Sequence, residues 1–184
     1  MIPIFLSRPN PFLEEQDLFL NLLVSYLHKN NLENNTLMAQ EYNPYESITC
    51  LDEIIKRCYG MIVLSFGQLF IEKGKSKKGA IYKENFFDSV EKTADDMWIT
   101  SPFCHIEGAL GLKSGLPLFV LKQNHLKIEG ILKHDQHIIS GPDFSLKSEK
   151  EIHNYFESRE FTNAFLKWKN LVEIYYNFVN RKIY

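Results

Sequence analysis

Three short apolar runs, at residues 2–6, 61–66 and 117–121, are separated by stretches whose apolar residues recur at helical spacing. Runs this short, bounded by turn residues, read as strands buried on both faces. Burial on both faces requires helices above and below, so the pattern predicts a parallel sheet with helical crossovers. A helix over residues 12–29 places Phe19, Leu22, Leu23, Tyr26 and Leu27 on one face, with Glu14, Glu15 and Asp17 in its early turns where the helix dipole favours acids. Asn30-Asn31 ends it. A second strand is expected at residues 37–41, followed by the loop Tyr42-Asn43-Pro44-Tyr45. Ser47 suits the cap of a helix carrying Leu51, Ile54, Ile55 and Cys58, which Gly60 stops. A fifth, short strand is expected at residues 137–139.

The expected architecture is a flavodoxin-like sheet of about five strands over residues 1–140, with a helical extension over residues 141–184. Two segments depart from the minimal pattern. Residues 66–101 form a long connection with Lys73, Lys75, Lys77 and Lys78, then Phe86, Phe87, Met97 and Trp98. It reads as a mobile basic loop or a lid bordering the ligand crevice. Gly74-Lys75-Ser76 resembles the end of a phosphate-binding loop, but position 69 is leucine where that motif needs glycine, so the site is rejected. In the tail, Phe161, Phe165, Trp168, Val172, Tyr175 and Val179 form an apolar seam, widened by Leu171, Ile174 and Phe178. That seam is expected to pack on its own domain or to mediate a homo-oligomer.

The chain has 184 residues, 21 Lys plus Arg against 23 Asp plus Glu, and hence no basic excess that would point to nucleic acid. No apolar run approaches bilayer length, and no signal peptide opens the chain, so a cytoplasmic protein without a membrane partner is expected. Cys50, Cys58 and Cys104 lack metal-ligand spacing and read as reduced thiols. His28, His125, His134, His137 and His153 show no paired spacing either, so no metal site and no cofactor are expected.

One segment carries chemistry. Ser101 is a good N-cap and Pro102 suits the first helical position, so a helix starts there; Gly115 can close it in a left-handed conformation. Glu107 sits one turn after Phe103 on a face otherwise built for burial, and Gly108, Ala109 and Gly111 would let a ligand or another backbone approach it. A carboxylate in that position stands either as a solvated group at the helix rim or as a catalytic group. His105, two residues earlier, points well away from it.

Taken together, Ile4-Phe5-Leu6-Ser7-Arg8-Pro9-Asn10-Pro11-Phe12 with Glu14-Glu15, the strand Met61-Ile62-Val63-Leu64, and Ser101-Pro102-Phe103 with Glu107-Gly108-Ala109 and Gly115-Leu116-Pro117 resemble a prokaryotic TIR-like (Toll/interleukin-1 receptor) domain. They are equally similar to the related nucleoside 2-deoxyribosyltransferase group. The resemblance spans residues 2–140 and implies a TIR-like fold in which Glu107 is the catalytic residue at an N-glycosidic bond. It implies NAD+ as substrate, a nucleotide messenger in antiphage defence and an effector that reads it; the second group implies attack on a deoxynucleoside. The tryptophan-cysteine pair common before this glutamate in animal TIR domains is missing, and Phe103-Cys104 occupies similar ground.

The resemblance further implies a base pocket shaped by the loops after the first two strands: Ser7, Arg8, Asn10, Phe12, Tyr42, Asn43 and Tyr45. Phe66, at the end of the third strand, and Phe103 border the same crevice, and Trp98 is a candidate stacking wall. Arg8 suits a diphosphate or sugar hydroxyls. A sugar with oxocarbenium character calls for a fixed carboxylate, which is the part assigned to Glu107. Without that chemistry, the same surface would belong to a nucleotide-sensing or assembly module.

Overall fold

In the computed structural model, residues 1–36, 47–81, 83, 86–133, 138–145 and 148–181 are described. The chain runs β1 (Ile2–Ser7), α1 (Glu14–Lys29), β2 (Leu32–Asn35), α2 (Ser47–Ile55) and β3 (Met61–Ser65). Four short strands follow: β4 (Leu69–Ile71), β5 (Lys75–Ser76), β6 (Lys92–Thr93) and β7 (Met97–Ile99). Then come α3 (Pro102–Lys113), β8 (Leu118–Lys122), β9 (Leu126–Lys127), a 3-10 turn at Gly130–Leu132, β10 (Ile138–Ser140), α4 (Glu149–Glu157) and α5 (Arg159–Arg181).

The main sheet has five strands in the order β10-β8-β3-β1-β2, and every pairing in it is parallel. This is the flavodoxin-like order, whose crossover reverses between β1 and β3. Alternation along the strands divides the core. Ile4, Leu6, Ile62 and Leu64 face α1, α4 and α5, while Phe5, Met61 and Val63 face α2 and α3. The first of these cores holds Phe19, Phe119, Phe144, Phe161, Phe165 and Trp168, all fully buried. α5 therefore lies against the sheet along Phe161, Phe165, Trp168 and Val172, and the Trp168 indole N–H donates to the Pro117 carbonyl at 2.9 Å. Leu171, Ile174 and Phe178 remain on its exposed side.

Several sequence expectations are corrected. The strand beside β1 is Leu32–Asn35, immediately after Asn31 turns the chain at φ 64°. The expected strand at residues 37–41 lies outside the described residues, as does His137 of the fifth strand. α2 stops at Ile55, and Cys58 is buried beyond its end. The long connection is not a plain basic loop: β4 pairs antiparallel with β7, which pairs in turn with β9, and β5 pairs with β6. Three of its lysines are paired with acids, Lys75 with Glu91 at 2.5 Å, and Lys77 and Lys92 with the one carboxylate of Asp88 at 2.7 and 2.8 Å. Gly74-Lys75-Ser76 runs into β5 and does not open a helix. Among the described residues, no helix is long and apolar enough to cross a membrane.

Candidate active site

β1 and β3 both end in a serine, Ser7 and Ser65, and by strand alternation both hydroxyls belong to the α3 side of the sheet. Both are fully buried, and neither makes a hydrogen bond of ordinary geometry among the described residues. A buried hydroxyl left unpaired is costly, by roughly 1–3 kcal/mol. Two of them at the carboxyl edge of adjacent central strands mark the crevice where ligands gather in such sheets.

α3 brings the carboxylate to the same edge. Its start is fixed as the sequence implies: the Ser101 hydroxyl accepts from the Phe103 N–H at 3.2 Å, and Pro102 occupies the first turn. Glu107 is only 9% exposed, which excludes the solvated helix-rim alternative. Burial pushes its pKa up from 4.5 to about 7, against the opposing pull of the Ser7 hydroxyl and the Arg8 guanidinium. Ser7 thus sits close enough to bias the carboxyl without a well-formed hydrogen bond to it. Arg8 is half-buried; desolvation lowers its pKa, while Asp17 and Glu107 support its charge. Its Nη1 also reaches the Pro9 carbonyl and Asn10 Oδ1, both at 3.4 Å. Cys104, one turn before Glu107, is buried, and desolvation together with the nearby carboxylate pushes its thiol up to about 12. It stays protonated at neutral pH and is no nucleophile.

The small residues of α3 have another task than the one expected. A Cβ on Gly108 would meet Leu132 Cδ2 at 2.5 Å, and one on Gly111 would meet Met61 Sδ at 2.6 Å. Their space is filled by protein: Gly111 lets the helix approach the sheet, Gly108 lets the 3-10 turn approach the helix, and neither leaves room for a ligand. Phe66 is also corrected. It is fully buried in the opposite core, edge-on to Phe19 and Phe144, and cannot line the crevice. Phe12 and Phe103 are exposed, 54% and 50%, and Asn10 is exposed beside Arg8. Tyr42, Asn43 and Tyr45 lie outside the described residues. Trp98 lies over Gly67 just past β3 and packs on Phe70, with ring centroids 5.0 Å apart. The structure therefore brings Ser7, Arg8 and Glu107 together, and adds Ser65 and Cys104, which the sequence reading did not include as site residues. Two strands ending in serine at the same edge were the available signal for Ser65.

His105 lines a cavity of about 290 Å³ with Ile71, Met97 and Glu129, whose lining does not include Glu107. Among the described residues, no cluster of three or more His, Cys, Asp or Glu could hold a metal ion.

Fold and site together define an α/β protein with a desolvated carboxylate at the switch point of its sheet. No family model and no curated protein matches the chain. Among solved structures it is similar to the CMP N-glycosidase BcmB of Clostridium botulinum, at 14% identity and a TM-score of 0.47, over 85% of this chain and 99% of that one. That likeness is too distant to transfer a residue or an activity.

Proposed function

We propose that this protein cleaves the N-glycosidic bond of a nucleotide, with Glu107 acting on the sugar. The observation that carries this reading is a carboxyl group, 9% exposed and with its pKa near 7, held beside Arg8 and Ser7 at the carboxyl edge of β1 and β3. A desolvated carboxylate is poorly stabilised by its own surroundings, so it interacts strongly with a cation that develops next to it. The cation here is the sugar ring as the C1′–N bond breaks and the base departs with the bonding electron pair. The ionised Glu107 either attacks C1′, to be displaced later by water or a second acceptor, or stabilises the cation while water attacks. Arg8 suits a phosphate of the substrate, and the unpaired Ser7 and Ser65 hydroxyls suit sugar oxygens.

The narrower reading has NAD+ as substrate, in a TIR-like enzyme that makes a nucleotide messenger for an effector in antiphage defence and works as a homo-oligomer. It rests on the sequence resemblance. Nicotinamide leaves NAD+ as a neutral molecule and needs no proton, which suits a site whose acidic group is wanted as an anion. The second reading, transfer or hydrolysis of a deoxynucleoside or nucleoside monophosphate, releases a base that leaves more easily once protonated. A carboxyl whose pKa is raised to about 7 remains partly protonated at neutrality, and this favours keeping that reading. Incubation with NAD+, deoxynucleosides and CMP separately, with free base quantified by chromatography, tests the proposal. Base release from at least one of them is expected; a protein active on none contradicts an enzymatic reading.

A further inference from the structure

Past the end of β3 the chain builds a second recess, of about 440 Å³, between the β4–β7 pair and the turn that joins β8 to β9. Phe70 and Trp98 form an aromatic wall, with ring planes inclined at 47°, and the buried Phe144 closes another side. Asp96, Gln123 and His125 supply acceptors and donors around it. Gln123 is tied to the end of β3 and to the residue after next: its N–H donates to the Ser65 carbonyl at 3.0 Å, and its Oε1 accepts from the Gly67 N–H at 3.1 Å. The side-chain amide nitrogen has no hydrogen-bond partner among the described residues.

Two of the five non-glycine residues with positive φ among the described residues lie at the same place. Asp96 and His125 both line the recess and both adopt left-handed conformations, φ 50° and 63°. Non-glycine residues hold such angles at an energetic cost, and strain of this kind clusters at ligand sites. Here the strain accompanies the bond from the Trp98 N–H to the His125 carbonyl at 3.2 Å, which joins the aromatic wall to the polar turn.

An aromatic wall faced by an amide, an imidazole and a carboxylate fits a flat nitrogen heterocycle, which offers a π-face and donor and acceptor atoms at its edge. We infer that this recess holds a nucleobase, and that the substrate acted on at Glu107 carries a second base remote from its scissile bond. The inference deepens the proposed function and rests on it for the second clause. β1 and β8 are separated by β3 alone, and Ser7 is level with Val63 and Val120, so the Gln123 turn lies two strand spacings across and three residues further along, ~14 Å from Ser7. Two nucleosides joined through a diphosphate reach across that edge, whereas one base with its own sugar does not.

The chain holds two tryptophans, and Trp168 is fully buried, so fluorescence quenching by an added ring reports Trp98. The Glu107→Gln protein, which does not consume its ligand, is titrated with AMP and with ribose 5-phosphate as the control lacking a base. AMP is expected to quench, and ribose 5-phosphate is not. Phe70→Ala removes half of the wall, and His125→Gly removes the imidazole while keeping the left-handed backbone; each should raise the AMP dissociation constant at least fivefold. Absence of AMP quenching, equal quenching by ribose 5-phosphate, or unchanged affinity in both variants would overturn the inference. The two readings fail separately. AMP binding in this recess, in a protein whose wild type releases no base, leaves the recess standing and removes Glu107 catalysis. Base release by wild type with no AMP quenching does the reverse.

Discussion

Glu107 is held in a state that opposes stability. Its folded pKa, about 7, lies above the ordinary 4.5, so between those values the folded chain binds more protons than the unfolded one. Stability therefore falls as pH rises from about 4.5 to 7 and stays reduced above that. The difference corresponds to ~3 kcal/mol at full ionisation. Glu107→Gln should remove this dependence, so that the variant melts above wild type by ~6–12 °C at pH 8 and by much less at pH 5. Calorimetry at both pH values checks this; equal melting temperatures at pH 8 would mean that the carboxylate is not desolvated. Turnover should run the opposite way. If the ionised form acts, kcat/KM rises with pH to a plateau above about 7, whereas a fall through the same region would assign the proton to the reaction.

At the level of the element, α3 has two tasks, to pack on the sheet and to aim one side chain. Gly111 lies against Met61 and Leu118, and Gly108 against Leu132 and Val63. Gly111→Val should push the helix away from β3, at a cost of ~1–3 kcal/mol. Because Glu107 rides on the same helix, kcat should drop well beyond what the fall in melting temperature explains. A variant with a lowered melting temperature and unaltered kcat would show that the site tolerates the shift. The start of α3 was legible from Ser101 and Pro102, and so was the oddity of a carboxylate among apolar neighbours. Its burial was not, since helical spacing gives a direction around the axis and not the depth of what covers it. Phe66 was misread for a related reason: at the end of an apolar run, one residue of register decides between crevice and core.

For the whole molecule, the order of the long elements was readable because β1, β3 and β8 are apolar up to their last residue and their helices are amphipathic. β2 was not readable: in Leu32-Glu33-Asn34-Asn35 only Leu32 is buried, as an edge strand allows. The strands of residues 69–99 are two or three residues long, too short to display a period. The apolar seam of α5 was readable, and the structure places its first part, Phe161 to Val172, under the sheet, while Tyr175 and Val179 are only partly buried. Trp168 stacks on Phe119 with centroids 5.7 Å apart and is fully buried. Trp168→Ala should cost ~3–5 kcal/mol, a large share of the stability of a chain this size. The denaturant midpoint should fall accordingly; a midpoint unchanged from wild type would mean that α5 is not part of the folded core.

The central claim is that Glu107 carries the cleavage of an N-glycosidic bond. Its most direct test is the rate of base release by wild type and Glu107→Gln on the best substrate found, with substrate affinity measured alongside. Loss of the negative charge should slow turnover by roughly a hundredfold or more while affinity changes far less. A Glu107→Gln enzyme that is folded and turns over within a few-fold of wild type would contradict it.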